Sequence, residues 1–255
     1  MDLGLAGQRA LVCGASRGIG AAVATVLAAE GASVALAARD SPALREHAAQ
    51  LGGVAVPADL STSAGGQQAI GGAADALGGL DLLLVNTGGP PPGNFAELDE
   101  GAWTKAIEGT LLSVIRLVRA AQPRLAESDA PAIVVILSSS VREPIPGLVA
   151  SNVLRPGLAG LIKSLVSELA PVRINGIAPG RIATQRIEQL DARRAADSGT
   201  TPDEIRRQTI ARVPLGRYGD PLEVGRVAAF LLSPAASYVN GTIVAVDGGM
   251  IRSLP

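Results

Sequence analysis

The amino-acid sequence predicts an α/β fold, a doubly wound parallel sheet of about seven strands with helices on both faces. Short apolar runs of strand-like composition alternate along the chain with longer segments of helical period. The length of 255 residues and an apolar fraction of 47% are sufficient to bury a large core. Because no Pro- or Ser-rich linker divides the chain, we expect a single domain spanning residues 1–255.

Apolar bursts rich in Val, Ile, Leu and Ala predict the strands. They fall at Arg9–Cys13, Ser33–Ala37, Val54–Pro57, Leu80–Val85, Ala132–Leu137, Arg173–Ala178 and Thr242–Val246. The segments between them carry apolar residues at helical spacing, and the last follows Gly219-Asp220-Pro221, a typical helix cap and first turn. We expect these helices at Gly18–Ala29, Pro42–Leu51, Ser63–Leu77, Gly101–Glu127, Asn152–Leu169 and Leu222–Leu232. The repeated order of strand, helix and strand implies right-handed crossovers.

One segment fits neither period. Residues 179–203 follow the sixth predicted strand and are too long for an ordinary connection. We expect a loop with helical pieces that covers the functional site, and we call residues 179–203 the lid segment.

Charge and rare residue types restrict the possible partners. The 22 Lys and Arg residues balance 23 Asp and Glu residues, so there is no basic field to attract nucleic acid or an anionic membrane. We therefore expect a small-molecule substrate as partner. A single Cys and a single His speak against a Cys/His zinc site, and we predict no metal. The opening residues carry no basic stretch before an apolar core, which predicts a cytoplasmic protein.

A glycine-rich turn connects the first predicted strand to the first predicted helix. It reads Gly14-Ala15-Ser16-Arg17-Gly18-Ile19-Gly20. Such glycines let backbone amides approach a pyrophosphate, and the helix N-terminus that follows favours negative charge. The turn could also be only a tight connection, but the strand–helix–strand pattern on both sides favours dinucleotide binding.

The end of the second strand distinguishes between nicotinamide cofactors. An acidic side chain there, about 20 residues after the glycines, would bind a ribose 2′-hydroxyl. This chain has Ala38 at that position, followed by Arg39 and Asp40. Arg39 and Arg17 offer guanidinium groups suited to a 2′-phosphate, so NADP(H) is favoured over NAD(H). In the alternative, Arg39 is solvated and Asp40 turns towards a ribose.

Further motifs follow the glycine turn in a fixed order. They are Asp59-Leu60, Asn86-Thr87-Gly88-Gly89, Pro179-Gly180-Arg181-Ile182-Ala183-Thr184, and Tyr238-Val239-Asn240-Gly241 with Val246-Asp247-Gly248-Gly249. Together with the glycine turn, they resemble the short-chain dehydrogenase/reductase superfamily, most closely its bacterial 3-oxoacyl-acyl-carrier-protein reductase-like members. The resemblance covers essentially the whole chain.

The resemblance implies a Rossmann-type NAD(P)-binding fold and a homotetramer or homodimer built through the two long helices. It also implies which residues contact the cofactor. These residues are Gly14, Ser16, Arg17, Gly18, Ile19, Gly20, Arg39, Asp59, Leu60, Asn86, Gly88, Arg155, Pro179, Gly180, Ile182 and Thr184.

The catalytic positions of that superfamily are mostly substituted. The resemblance implies a serine after the fifth strand, a tyrosine that exchanges the proton, a lysine that lowers the tyrosine pKa, and an asparagine in the preceding long helix. Ungapped counting from the later helix places Ser151 at the tyrosine position and Arg155 at the lysine position. Counting from Trp103 places Thr110 at the asparagine position. No realignment supplies a tyrosine, because the first one in the chain is Tyr218.

Two serines compete for the remaining catalytic role. Ser138 lies thirteen residues before Ser151, the spacing typical of the superfamily, whereas Ser139 fits the strand end better. Either could instead cap neighbouring backbone. Tyr218 and Tyr238 are expected to be structural, and His47 is expected at the surface, far from the site.

Two functions remain open. In the first, the protein is an NADP(H)-dependent oxidoreductase that acts on a carbonyl or secondary alcohol, including 3-oxoacyl compounds, through an altered proton relay. In the second, it keeps the cofactor site but serves as a sensor or scaffold. Retention of all the cofactor motifs favours the enzyme.

Overall fold

The strands form one parallel sheet. The computed structural model describes residues 2–253 and orders seven strands as β3-β2-β1-β4-β5-β6-β7. The strands are β1 (Arg9–Cys13), β2 (Ser33–Ala38), β3 (Val54–Pro57), β4 (Leu82–Val85), β5 (Ala132–Ile136), β6 (Arg173–Pro179) and β7 (Ile243–Val246). All neighbouring pairs run parallel, which confirms the predicted doubly wound α/β fold.

Helices cover both faces of the sheet, as predicted. They are α1 (Gly18–Ala29), α2 (Pro42–Gln50), α3 (Ser63–Leu77), α4 (Glu100–Ala106), α5 (Ser113–Leu125), α6 (Val149–Glu168), α7 (Gln185–Asp197), α8 (Pro202–Ile210) and α9 (Pro221–Leu232). Apolar side chains of α1, α2 and α9 pack on one face, and those of α3, α5 and α6 pack on the other. Strands buried on both sides explain the continuous apolar runs of the sequence.

Two predicted helices differ from those observed. The segment predicted as one helix over Gly101–Glu127 is divided by a π-helical turn at Ile107–Leu112. The helix predicted to begin at Asn152 begins three residues earlier, at Val149. A π turn widens the helix locally and is common at functional sites.

The lid segment is mostly helical. It contains α7 and the start of α8, so the predicted helical pieces are present. Thr184 and Thr201 cap these helices, each accepting a backbone N–H bond through its hydroxyl oxygen. Within residues 2–253 no helix is both long and apolar enough to cross a membrane.

A buried arginine holds the end of α9 against the sheet. Arg173, on β6, donates from Nη1 to the carbonyl of Leu231 at 2.8 Å, and from Nη2 to those of Leu232 and Ser233 at 3.1 and 3.0 Å. These carbonyls belong to the last helical turn and its cap, where backbone acceptors have no helical partner. Burial lowers the pKa of Arg173, but the site compensates with these acceptors.

We predict that Arg173→Met lowers the free energy of unfolding by about 2–3 kcal/mol, because buried carbonyls lose a charged donor. Urea unfolding followed by circular dichroism measures this. Arg207→Met is the matched control, since Arg207 pairs with Glu204 on an exposed surface and its loss costs less than about 0.5 kcal/mol. Equal effects of the two substitutions would contradict the capping role.

Candidate functional site

The site lies at the carboxyl edge of the sheet, beside the point where the strand order reverses. β1 has β2 on one side and β4 on the other, so the loops after β1 and β4 leave in opposite directions. Such a reversal opens a crevice in which doubly wound proteins bind ligands. The loops after β5 and β6 end at the same edge and complete its walls.

The glycine turn is packed too closely for side chains. A Cβ atom added at Gly14 would lie 2.4 Å from the Asn86 carbonyl oxygen, and one at Gly20 would lie 2.3 Å from the Gly14 carbonyl oxygen. Asn86 also donates from Nδ2 to the Gly14 oxygen at 3.4 Å. The turn after β1 is therefore fixed directly to the end of β4.

The first turn of α1 presents its backbone amides to this crevice. The helix begins at Gly18, and its N-cap residue Arg17 makes no side-chain capping bond within the described chain. Unpaired amides and the helix dipole favour an anion at such an end. Ser16 and Ile19 are half-buried beside it, whereas Arg17 is exposed and donates to the side chain of Gln185 on α7.

The two candidates for ribose recognition, Arg39 and Asp40, follow the end of β2. Ala38 is buried, and Arg39 is exposed beyond it. Asp40 is also exposed and pairs with Arg45 at 2.6 Å. Hydrogen bonds from Ser61, and then the positive charge of Arg39, hold the pKa of Asp59 below its usual value. The charge of Arg39 is therefore felt at the Asp59-Leu60 motif.

The expectation that His47 is a surface residue far from the site is wrong. Its Nδ1 lies 3.2 Å from the Ala15 carbonyl oxygen, and its Nε2 lies 3.2 Å from the Thr25 hydroxyl oxygen. His47 thus braces the glycine turn from behind. Helical spacing on α2 gave no signal of this contact, which depends on how α1 and α2 pack.

The structure brings a different serine to Ser151 than the two predicted. Ser140 Oγ lies 3.0 Å from Ser151 Oγ, and both residues are about 95% buried. Ser139 is also buried, whereas half-buried Ser138 accepts a bond from the Ser140 amide at 3.1 Å. Ser138 therefore caps backbone, as the alternative interpretation held, and within residues 2–253 neither the Ser138 nor the Ser139 side chain is hydrogen-bonded to Ser151.

Arg155 is a buried cation one helical turn beyond Ser151. It is 6% exposed, and its Nη1 donates to the Ile136 carbonyl at the end of β5. Its Nε has no hydrogen-bond partner among the described residues. Burial lowers the pKa of Arg155 to about 10, and the nearby charge of Arg186 acts in the same direction.

Thr110 occupies the π turn that faces α6. It is 1% exposed, and its hydroxyl has no partner within the described chain. A buried hydroxyl without a partner costs free energy unless water or a ligand satisfies it. The three substituted positions, Thr110, Ser151 and Arg155, are thus all buried at this edge of the sheet.

Asn152 has a structural role that the sequence did not indicate. Its amide group accepts from the Ile145 amide at 2.9 Å and donates to the Ile145 carbonyl at 3.0 Å. It therefore holds the loop after β5 against α6. Arg142 and Glu143 in that loop are exposed.

The loop after β6 reaches the crevice close to β7. A Cβ atom at Gly180 would lie 2.7 Å from the Cβ of Asp247, so this position also requires glycine. Pro179 and Ile182 are buried, and Thr184 caps α7. Gly88, at the end of the β4 motif, is exposed to the crevice. Most of the predicted cofactor-contacting residues therefore belong to loops or helix starts at the carboxyl edge of the sheet, whereas Pro179 ends β6 and Arg155 lies in the second turn of α6.

Comparison with known proteins agrees with this arrangement. A family model described as Enoyl-(Acyl carrier protein) reductase matches residues 14–251. The 3-oxoacyl-[acyl-carrier-protein] reductase FabG of Vibrio cholerae serotype O1 is 32% identical over 252 residues, covering 97% of this chain and 99% of its own. The chain belongs to the short-chain dehydrogenase/reductase superfamily.

Solved structures of the superfamily superpose along nearly the whole chain. L-sorbose reductase from Gluconobacter frateurii, solved with NADPH and L-sorbose, has a TM-score of 0.93 at 28% identity and full coverage of both chains. An NADPH-bound short-chain oxidoreductase from Pseudomonas aeruginosa PAO1, described as containing an atypical catalytic center, has a TM-score of 0.85. It is 33% identical over 96% of this chain and 97% of its own.

Two cavities border the lid segment of this short-chain dehydrogenase/reductase. The smaller, about 220 Å³, lies between α7 and the loops after β4 and β5. The larger, about 430 Å³, lies between the loop after β6 and the end of β7. The smaller cavity is the one enclosed by the lid and by the loops that follow β4 and β5.

Tyr218 fastens the lid segment to the body of the protein. It is 5% exposed, and its hydroxyl donates to buried Asp191 Oδ2 of α7 at 2.7 Å. Arg181 lies 3.5 Å from the same carboxylate, and the Arg206 guanidinium stacks over the ring at 4.4 Å. Burial and this bond raise the pKa of Tyr218, so the phenol keeps its proton. Tyr238, by contrast, is fully exposed and packs against nothing within the described chain.

We predict that Tyr218→Phe loosens α7, because the buried carboxylate of Asp191 loses its phenol donor at a cost of about 1–2 kcal/mol. Amide hydrogen exchange over residues 185–197 should accelerate roughly five- to thirtyfold. Tyr238→Phe, at an exposed hydroxyl, is the control. Unchanged exchange in Tyr218→Phe would show that the bond does not hold the lid.

Proposed function

We propose that this protein is an NADP(H)-dependent oxidoreductase that interconverts a carbonyl and a secondary alcohol on a small-molecule substrate, with 3-oxoacyl compounds among the candidates. The glycine turn fixed to Asn86 carries the proposal, because its crowding leaves room only for glycine where a diphosphate would lie. NADPH is present in the related L-sorbose reductase and Pseudomonas aeruginosa structures.

The residues present fit such a cofactor. The amides at the start of α1 and the Thr184 side chain would bind phosphate, and Asp59 and Leu60 would border adenine. The loop after β6 would meet the nicotinamide through its backbone, and Arg155 Nε would donate to the nicotinamide ribose. This assignment gives the unpartnered buried Nε an acceptor.

The phosphorylated form of the cofactor fits better than the unphosphorylated one. Arg39 and Arg17 are both exposed on the side where a 2′-phosphate would lie, and guanidinium groups bind phosphate in a bidentate manner. Asp40, the acid that could favour a free ribose hydroxyl, is already paired with Arg45.

The bound cofactor would supply a hydride for the carbonyl carbon. As that bond forms, the C=O π bond opens and the carbonyl oxygen takes one proton, which gives the alcohol. The hydroxyl groups of Ser140 and Ser151 would orient the carbonyl. The charge of Arg155, one helical turn away, would stabilise the negative charge that develops on its oxygen.

This site lacks a strong acid that could donate the proton to the carbonyl oxygen. A serine hydroxyl is a far poorer acid than a tyrosine phenol with a pKa near 10. Loss of a positioned acid typically costs about 10²–10⁴-fold in rate but leaves hydride transfer possible once the reactants are held together. We propose that water reaching Ser151 supplies the proton.

The second candidate function is a cofactor-binding sensor or scaffold. The burial of Ser151, hydrogen-bonded to Ser140, favours it, because a hydroxyl in that state is neither activated nor exposed. Binding of NADP(H) without turnover of any carbonyl would select this function over the enzyme.

We further propose that the protein is cytoplasmic and assembles into a homotetramer or homodimer. The two helical segments that the superfamily resemblance assigns to the interface carry exposed apolar side chains. Val153 of α6 is 56% exposed, and Ile107 of the π turn is 37% exposed.

The function is tested by titrating the protein with NADPH and NADH, followed by assays with ketones and 3-oxoacyl thioesters. We predict tighter binding of NADPH, and a loss of roughly 10- to 100-fold in NADPH affinity in Arg39→Ser, because a charged hydrogen bond to phosphate is removed. NADH affinity should change little. Failure to bind either nucleotide would contradict both candidate functions.

Arg207→Ser is the control for Arg39→Ser, since Arg207 is an exposed arginine of α8 that pairs with Glu204 and not with a residue of the proposed cofactor site. Its NADPH affinity should stay within about twofold of the wild type. An equal loss of NADPH affinity in both variants would indicate a general effect of charge and would show that Arg39 does not bind the 2′-phosphate.

We predict that the double variant Ser151→Tyr, Arg155→Lys raises reductase activity by roughly 10- to 100-fold, because it restores a phenol and an ammonium that lowers its pKa. Initial rates with a saturating ketone measure this, alongside a pH profile. A new limb in that profile between pH 6 and 9 would mark the phenol, at about the range expected for a lowered pKa. Each single variant is the control. If the double variant gains no activity, the missing phenol and ammonium are not what limits the rate.

A further inference from the structure

Two arginines beside the crevice have no carboxylate to neutralise them among the described residues. Arg155 is buried on α6, and Arg186 is half-buried on the first turn of α7. Their charges interact, and burial lowers the pKa of both. No acidic side chain lies within 4 Å of either guanidinium among residues 2–253. Two like charges held together away from water are costly unless an anion joins them.

A hydrogen bond directs the Arg186 side chain towards the loop after β4. Its Nη2 donates to the Pro90 carbonyl at 2.7 Å, and a Cβ atom at Gly89 would lie 3.3 Å from the same nitrogen. One bond of the guanidinium therefore fixes its direction. The contact uses a neutral acceptor and leaves the charge without a counter-ion.

The same face of α7 lines the smaller cavity. Arg186, Leu190, Arg193 and Asp197 are spaced three or four residues apart, so they lie along one side of the helix. The last three line the cavity. At its outer end Arg193 is neutralised by Glu97 at 3.2 Å and Asp197 at 3.8 Å. Arg186, on the first turn of the same helix, has no such acidic partner among residues 2–253.

We propose that this crevice takes oxo acids, and that Arg186, with the charge of Arg155 beside it, binds the substrate carboxylate. This inference rests on the proposed carbonyl chemistry. Ser151 and Arg155 are one helical turn apart, with about 5–6 Å between their Cβ atoms. A carboxylate drawn to the combined charge of Arg155 and Arg186 would then lie close to the reacting carbonyl, as in a 2-oxo or 3-oxo acid.

The reaction on such a substrate is the reduction already described. The carbonyl carbon gains a hydride from NADPH and its oxygen gains a proton, so the oxo acid becomes a hydroxy acid and NADPH becomes NADP⁺. The carboxylate is not consumed. Its bidentate pairing with a guanidinium sets the direction of the carbonyl.

The test compares each acid with its neutral ester. We predict that the wild type reduces 2-oxobutanoate or acetoacetate with a kcat/KM roughly 10- to 100-fold above that for the methyl ester, as expected for one charged hydrogen-bonded pair. Arg186→Met should bring the acid-to-ester ratio close to one, mainly by raising KM for the acid. Arg186→Lys should retain part of the preference. Arg207→Met, an exposed arginine of α8, is the control and should keep the wild-type ratio.

A second readout separates this inference from the cofactor assignment. Calorimetry gives the affinity of NADPH for Arg186→Met, which should stay within about threefold of the wild type. If instead NADPH binding weakens and acid and ester lose activity equally, Arg186 belongs to the cofactor site and the proposal is overturned. A wild type without preference for the acid overturns it as well.

If the protein reduces no carbonyl, a binding measurement still tests the carboxylate site. We expect 2-hydroxybutanoate to bind the NADP⁺-loaded wild type and to bind Arg186→Met at least about tenfold more weakly. That result would uphold the carboxylate site while the proposed catalysis fails. The same titration without nucleotide serves if NADP⁺ does not bind. No binding of the hydroxy acid in either form would refute the carboxylate site.

Discussion

Close contact between the glycine turn and the end of β4 determines where everything else in the site can lie. The Gly14 backbone touches Asn86 at distances that exclude even a methyl group. This contact joins two adjacent strands whose following helices cover opposite faces of the sheet. The crevice between those helices, the start of α1 and the approach to α6 all take their positions from it.

The charge of the site depends on the side chains that stand at and around the three substituted positions. Two hydroxyl groups in contact, Ser140 and Ser151, cannot supply the charge that a phenol and an ammonium would. Positive charge at the crevice comes instead from guanidinium groups, one buried on α6 and one carried by the lid segment. A guanidinium holds its proton more firmly than an ammonium and binds oxyanions in a plane. The site is therefore better suited to fixing a charged substrate than to relaying a proton.

The sequence predicted the architecture well because strand and helix periods depend on local spacing alone. Every predicted strand is present, and the ends differ by at most two residues. The glycine turn and the Pro-Gly loop were also recognisable from the sequence, since a side chain would not fit at Gly14, Gly20 or Gly180. The π turn was not predicted, because apolar spacing cannot distinguish an extra residue in a helical turn from a regular helix.

Contacts between distant segments account for what the sequence did not predict. The position of Ser140 depends on how the 3₁₀ turn at Ser139–Val141 rotates against α6. The bracing of the glycine turn by His47 depends on the packing of α1 against α2, and the approach of Arg186 to Arg155 depends on where the lid segment crosses the crevice. Each of these links residues on separate elements, so no local pattern carries the information.

The proline run after β4 forms the surface against which the lid segment packs. The carbonyl groups of Pro90 and Pro92 accept hydrogen bonds from Arg186 and Arg193, and prolines carry no backbone N–H, so these positions present only acceptors to the arginines. Their rings also fix φ, so the loop has little conformational entropy left to lose. In the contact between α7 and this loop, the loss of conformational entropy therefore falls mainly on the long arginine side chains of α7.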